Sequence, residues 1–319
     1  MDISNEHAIG IDIGGTNTKY GIVNHRGQIV FEGSIKTDQF EHIEDFIEAV
    51  YEKLQPEITA RKNMSFVGIG VGAPNGNFYT GNIEYAPNLK WKGIVPLAKM
   101  FTEKFKLPAM LTNDANAAAV GEMMYGAARG MKDFIMITLG TGVGSGIFAN
   151  GQLILGHDGF AGELGRTIVI PGGRLHPGTG AQGSLESYAS ATGVALTAKE
   201  FLASSDEPSV LRKLVVRDLD SKAVFDAAME GDAIAKKVFE YTGKILGQAL
   251  ANFVMFSSPQ AIILFGGLTK AGKLLMDPVK ESMEKNLLPI FRNKIQLIFS
   301  ELKESDAAIL GASALVWGS

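Results

Sequence analysis

The 319-residue sequence contains no cysteine, which excludes disulfides, thiolate metal ligands and a cysteine nucleophile. Its five histidines are scattered and lack the spacing of a zinc centre. No apolar run approaches the roughly 20 residues that a membrane-spanning helix needs. The opening Met1-Asp2-Ile3-Ser4-Asn5-Glu6-His7 has neither the basic start nor the apolar core of a secretion signal. Basic charge is not in excess either: 30 Lys+Arg stand against 34 Asp+Glu, a net charge of −4, which argues against a broad nucleic-acid surface. The expectation is a cytoplasmic protein with no membrane or nucleic-acid partner. Proline is scarce at 11 residues while glycine reaches 38, so the glycines signal tight turns and close backbone approaches, not a collagenous or disordered chain.

Short β-rich runs at 8–12, 18–23 and 28–33, with turn residues at 14–15 and 24–27, predict an opening antiparallel meander. Phe40, Ile43, Phe46, Ile47, Val50, Tyr51 and Leu54 then recur at the spacing of one helical face. Strands at 65–70 and 109–112 alternate with helices at 96–105 and 115–128, so the class is α/β. The second half repeats the pattern with strands at 133–139, 147–149, 152–155 and 261–265, a helix at 232–257, and a last helix at 307–317 capped by Ser305-Asp306. Asp12-Ile13-Gly14-Gly15-Thr16 in the first half answers Leu139-Gly140-Thr141-Gly142 in the second, a weak internal duplication. Two similar halves imply two domains around a cleft. The expected division is 1–115, with a helix at 306–319 packing back on it, and 116–305.

Asp12-Ile13-Gly14-Gly15-Thr16-Asn17-Thr18-Lys19 sits on a strand, turn and strand, where bare glycines let backbone N–H groups and threonine hydroxyls approach an anion such as phosphate. A plain hairpin turn explains the glycines, but not an acid at the strand end followed by Thr16, Thr18 and Lys19. Gly140-Thr141-Gly142-Val143-Gly144-Ser145-Gly146 offers a second cradle, since alternating glycines weaken a strand. Two cradles suit one polyphosphate. Gly267 to Leu274 nearly spells a P-loop, but Leu274 stands where a magnesium-binding hydroxyl is needed. Gly68-Ile69-Gly70-Val71-Gly72-Ala73 mimics a dinucleotide fingerprint, but Pro74 blocks the helix that would hold pyrophosphate. Asn113-Asp114-Ala115-Asn116 joins a buried strand to an alanine-rich helix. Asp114 is there either a simple helix cap or the base that takes a proton from an alcohol during phosphoryl transfer. Glu163 and Glu186 are further carboxylates beside glycine turns, each by itself compatible with solvated surface.

Together these motifs resemble the ROK family of bacterial sugar kinases, open-reading-frame proteins and repressors, over essentially the whole chain. The resemblance implies the two-domain actin/hexokinase-type (ribonuclease H-like) α/β fold, closing over ATP and a sugar. It assigns Asp12, Gly14, Gly15, Thr16, Thr18 and Lys19 to the first phosphate motif, Gly140, Thr141, Gly142 and Gly144 to the second, and Gly266 and Gly267 to the adenosine motif. Asp114 takes the proton from a hexose 6-hydroxyl in that scheme, Asn113, Glu163 and Glu186 hold other hydroxyls, and Gly72 and Asn88 line the sugar pocket. Magnesium lies near Asp12, held through water, and the expected assembly is a homodimer or homotetramer.

The departures from the family pattern concern zinc. Its members carry a histidine and three cysteines that bind a structural zinc, and here those positions are Arg166, Pro177, Thr179 and Ser184. The expectation is a zinc-free protein in which Arg166, always charged and a pure donor, either pairs with a glutamate or reaches the sugar. Glucose is the first expectation for substrate, with mannose, fructose and N-acetylated amino sugars as alternatives. Two other readings compete: a sugar-responsive regulator, whose usual helix-turn-helix segment has no room ahead of Asp12, and an actin-like or chaperone ATPase, which leaves Asn113-Asp114 and the two glutamates unexplained.

Overall fold

The computed structural model describes residues 5–176, 180–215 and 218–317. β1 (Glu6–Ile13), β2 (Asn17–Asn24) and β3 (Ile29–Lys36) form the meander, paired antiparallel in sequence order. The turn after β2 closes because the Asn24 side-chain oxygen accepts the Arg26 and Gln28 N–H groups, and Gly27 supplies the positive φ of 80° there. α1 (Ile43–Ala60) follows. It begins three residues later than the periodicity suggests and continues through Pro56 to Ala60. β4 (Ser65–Gly72) then pairs parallel to β1. β5 (Gly76–Asn77), β6 (Asn82–Glu84) and β7 (Ile94–Val95) make a small antiparallel sheet. α2 (Leu97–Phe105) and β8 (Ala109–Thr112) lead to α3 (Asp114–Tyr125).

The first large sheet runs β3-β2-β1-β4-β8. Its central strand β1 is buried almost throughout, which is why it reads as a continuous apolar run, while the edge strand β3 alternates between partly buried and exposed. Phe46, Ile47, Val50 and Leu54 of α1 join Ile9, Ile11, Ile22, Ile69 and Val71 in one core. Each such side chain stabilises the fold by about 1.5–3 kcal/mol.

The second large sheet is built from β9 (Phe134–Leu139), β10 (Val143–Ala149), β11 (Gln152–Leu153), β12 (Ala261–Phe265) and β13 (Gln296–Phe299), in the order β11-β10-β9-β12-β13. The helices of this half are α4 (Glu186–Ala189), α5 (Ala191–Ser204), α6 (Ser221–Met229), α7 (Ala233–Ser257) and α8 (Lys273–Asn286). α9 (Ala307–Ala314) packs on β1, β2 and β4. It comes so close that a Cβ on Gly70 would sit 1.8 Å from the Ala312 carbonyl oxygen, and one on Gly10 would sit 2.3 Å from that of Ile309.

Contacts group the chain into two units, one of Met1–Met131, Gly146–Gly162 and Ser300–Ser319, the other of Lys132–Ser145 and Glu163–Phe299. Among the described residues no helix is long and apolar enough to cross a membrane.

Candidate active site

In the first unit, Asp12 ends β1 opposite Lys19 of β2, and the turn between them is closed by the Gly14 N–H, which donates to the Asn17 carbonyl at 3.0 Å. Gly15 has no side chain because Asn88 is there: a Cβ would meet the Asn88 carbonyl oxygen at 2.8 Å. Asn88 and Thr16 are both exposed. Gly72, at the end of β4, lies under two carboxylate residues, since a Cβ on it would be 3.2 Å from Asp12 Oδ1 and 3.6 Å from the Asp114 Cα. A methyl at 72 would be crowded by Asp12 Oδ1 and by the Ala117 Cβ, also at 3.2 Å. Asn113 caps α3 by accepting the Asn116 N–H at 2.6 Å, and Asp114 Oδ1 accepts the Ala115 N–H at 2.8 Å. The N-cap of α3 is thus Asn113 and not Asp114.

The electrostatics of this pair are unusual for surface carboxylates. Burial pushes Asp12 up to about 7, the Asp114 charge pushes in the same direction, and Lys19 opposes both. Asp114 keeps an exposed face, yet the protein crowding it still raises its carboxyl, against the stabilising N–H groups of Ala115 and Asp114 itself.

Two expected phosphate ligands in this unit have partners within the protein. Thr18 is fully buried and its hydroxyl is hydrogen-bonded to that of Thr37 at 2.8 Å, so it belongs to the sheet and not to the cradle. Lys19 donates from Nζ to the Ser305 carbonyl at 3.3 Å, ahead of α9.

In the second unit the glycine cradle is shorter than the motif suggests. β10 already begins at Val143, and the Gly144 N–H donates to Thr138 Oγ1. What remains is Gly140-Thr141-Gly142, with Gly140 and Thr141 exposed. The N-terminus of α5 holds this loop: the Ala191 N–H donates to the Gly140 carbonyl at 2.8 Å and Thr192 Oγ1 to that of Thr141 at 3.0 Å. Helix N-termini favour anions, and this one escaped sequence reasoning because Ser190, its N-cap, lies some fifty residues downstream. Gly266 abuts the same loop, with φ 105° and a hypothetical Cβ 2.6 Å from the Leu139 carbonyl oxygen. Gly267 beside it faces open space.

Glu186 ties these features together. Its side chain is 6% exposed, and Oε2 accepts the Val143 N–H at 2.8 Å. A Cβ on Gly142 would stand 2.4 Å from that oxygen, so this glycine makes room for a carboxylate. Glu186 Oε1 faces Arg166 Nη1 at 2.5 Å and His176 Nε2 at 2.8 Å, while Arg166 Nε lies 3.7 Å from Glu163 Oε2. Arg166 pairs with both glutamates. His176 carried no signal in the sequence, since only the fold-back of the segment, through the Ile168–Ser184 and Leu175–Gln182 bridges, brings it to Glu186.

Ser184 is buried, its hydroxyl hydrogen-bonded to that of Ser187 at 2.9 Å. Pro177 and Thr179 lie outside the described residues. Among the described residues no group of three or more His, Asp or Glu is placed to hold a metal ion.

The family model described as "ROK family" matches residues 8–318. A glucokinase of Halalkalibacterium halodurans is 36% identical over 98% of this chain and 96% of its own length, and a glucokinase of Thermotoga maritima is 32% identical over 97% and 96%. Among solved structures, a ROK family glucokinase from Streptomyces griseus in complex with glucose and AMPPNP aligns with a TM-score of 0.80 at 31% identity, covering 98% of this chain and 100% of that one. The two mixed sheets with interspersed helices are thereby the α/β fold of the actin/hexokinase type. On the family model and on full-length likeness to its glucokinases, the chain belongs to the ROK family.

Proposed function

We propose that the protein is an ATP-dependent hexose kinase that phosphorylates the sugar 6-hydroxyl, with glucose as the first substrate to test. The observation that supports it most is the Asp114 carboxyl at the head of α3, its affinity for protons raised by burial, with Gly72 beside its Cα and its charge felt by Asp12. A base works best when its pKa is drawn towards neutrality. The 6-hydroxyl oxygen forms a bond to the γ-phosphorus, the bond from γ-phosphorus to the β,γ-bridging oxygen breaks, ADP leaves, and the hydroxyl proton passes to Asp114. Asn113, Glu163, Glu186 and Asn88 fix the sugar through hydrogen bonds, and Gly72 leaves space for it. Gly14, Gly15, Thr16 and Gly140 to Gly142 cradle the phosphates, and Gly266-Gly267 accepts the adenosine. Arg166 offers its remaining donors to sugar oxygens.

Two repelling carboxylates at Asp12 and Asp114 fit a nearby divalent cation, with Asp12 holding magnesium through water. When bound, magnesium offsets the charge of the β- and γ-phosphates. The working assembly in this reading is a homodimer or homotetramer, which light scattering measures directly.

The kinase reading is tested by ADP release with a panel of glucose, mannose, fructose and N-acetylated amino sugars. Sugar-dependent ADP formation is expected; ADP formation indifferent to sugar, or none with any hexose, would overturn it. Asp114→Asn should lower kcat by about 10²–10⁴-fold and leave ATP affinity nearly unchanged, and equal loss of both would remove Asp114 from the role of base.

A further inference from the structure

We infer that His176 is a positioning residue for sugar binding: through Glu186 it fixes the Arg166 guanidinium in the second unit. This rests on the kinase reading above. Three donors from three separate segments converge on one buried carboxylate, Val143 on Oε2, and Arg166 and His176 on Oε1. A carboxylate offers about four lone-pair sites, so these partners leave Glu186 room for one more donor, such as a single sugar hydroxyl. Arg166 is 42% exposed along its side chain and uses Nη1 and Nε on the two glutamates, which aims the rest of its planar fork outward.

Without a second donor on Oε1, the carboxylate is free to rotate towards Arg166 alone, and both groups lose their set orientation. His176 is itself placed by backbone: its N–H donates to the Ala181 carbonyl at 2.8 Å and its carbonyl accepts the Gly180 N–H at 2.9 Å. Its ring is 15% exposed, so it is shielded without being sealed in the core. The segment is anchored independently two residues earlier by Arg174, whose guanidinium bonds to Ser187, Gly193, Thr197 and Glu200. Losing the imidazole therefore acts on Glu186 and Arg166 more than on the fold.

The experiment titrates hexose into the full-length protein by calorimetry without ATP, then measures KM for sugar and for ATP, in wild type, His176→Ala and His176→Gln. A hydrogen bond to a charged group sets the scale: His176→Ala should weaken sugar binding by about ten- to a hundredfold, with the KM for ATP and the melting temperature held. His176→Gln places an amide N–H where imidazole Nε2 stood and should regain most of the affinity. Sugar binding by His176→Ala equal to wild type overturns the inference. So does a loss shared equally with ATP, or a glutamine variant no better than alanine. If wild type binds hexose without phosphorylating it, the kinase reading fails while the binding comparison still decides His176. If wild type binds no hexose, both fall.

Discussion

Arg174 uses all five of its N–H donors. Nε and Nη2 hold the two Glu200 oxygens, Nη2 also reaches Thr197 Oγ1, and Nη1 reaches the Ser187 and Gly193 carbonyls. The guanidinium lies 4.6 Å from the centre of the Tyr188 ring, and the side chain is 9% exposed. One cation thus fastens the segment before Glu186 to α4 and α5, a task that the family pattern gives to zinc. Arg174→Ala takes this donor from the Ser187 carbonyl and breaks the two-pronged pair with Glu200, and should lower unfolding free energy by about 2–4 kcal/mol, measured by denaturant titration. A zinc chelator added to wild type should leave the same curve unmoved. A chelator-sensitive transition would show that a metal shares the work.

α3 carries the proposed base, Asp114, at one end and a second carboxylate, Glu122, towards the other. Glu122 accepts hydrogen bonds from the Ala127 N–H and the Ser300 hydroxyl. Burial raises its affinity for protons above the ordinary carboxylate range, the Ser300 and Ala127 bonds oppose this, and Glu301 adds a smaller push upward. Because the folded form holds the proton more tightly than the unfolded one, this stabilisation is complete below the unfolded value and lost as pH rises through the folded one. Glu122→Gln removes that loss. Its melting temperature relative to wild type should therefore climb as pH rises out of the ordinary carboxylate range, and a difference independent of pH would contradict the assignment.

Most elements of α3's kind were legible. The β1–β3 meander, β4, β8, α2, β12 and the α/β class follow from alternation, helical periodicity and turn residues. Elements with weaker local patterns were not: α4 to α6, α8 and β13 have no clean signal, and Pro56 hid the last turn of α1. At the site, Asp12, Asp114 and the two glycine turns stand out as motifs. That Thr18 and Gly144 bond to Thr37 and Thr138 could not be read ahead, because a motif does not say which side of a strand a hydroxyl or N–H will face. The grouping of Arg166, His176 and Glu186 depends on a fold-back that no periodicity announces.

At the scale of the whole molecule, both large sheets use one plan. Each has three strands in reverse sequence order followed by two more, β3-β2-β1-β4-β8 and β11-β10-β9-β12-β13, and each opens its first turn with a glycine N–H, Gly14 to Asn17 and Gly140 to Gly142. The duplication read from the two glycine motifs is thus written in the strand order as well. The glycine excess, however, is not confined to turns. Gly10, Gly21, Gly68 and Gly70 sit in strand interiors against residues 309–316 of the C-terminal segment, Gly10 and Gly70 against its backbone and Gly21 and Gly68 against the Ile309 and Val316 side chains. Gly70→Ala puts a methyl into the Ala312 carbonyl and should cost about 3 kcal/mol, read as a fall in the denaturation midpoint. A neutral result would mean that α9 can lift from the sheet without loss.

That glycine seam also sets an order of events during synthesis. β1 is synthesised some three hundred residues before α9, the helix that covers its glycine face. Until α9 emerges, β1 and β4 present a bare, side-chain-poor strip with nothing seated on it, while the second unit's segment 163–299 is already complete and free to fold. The first unit is therefore completed only after the second unit's segment has been made, and its pairing must wait on contacts some three hundred residues apart, the kind that close slowly.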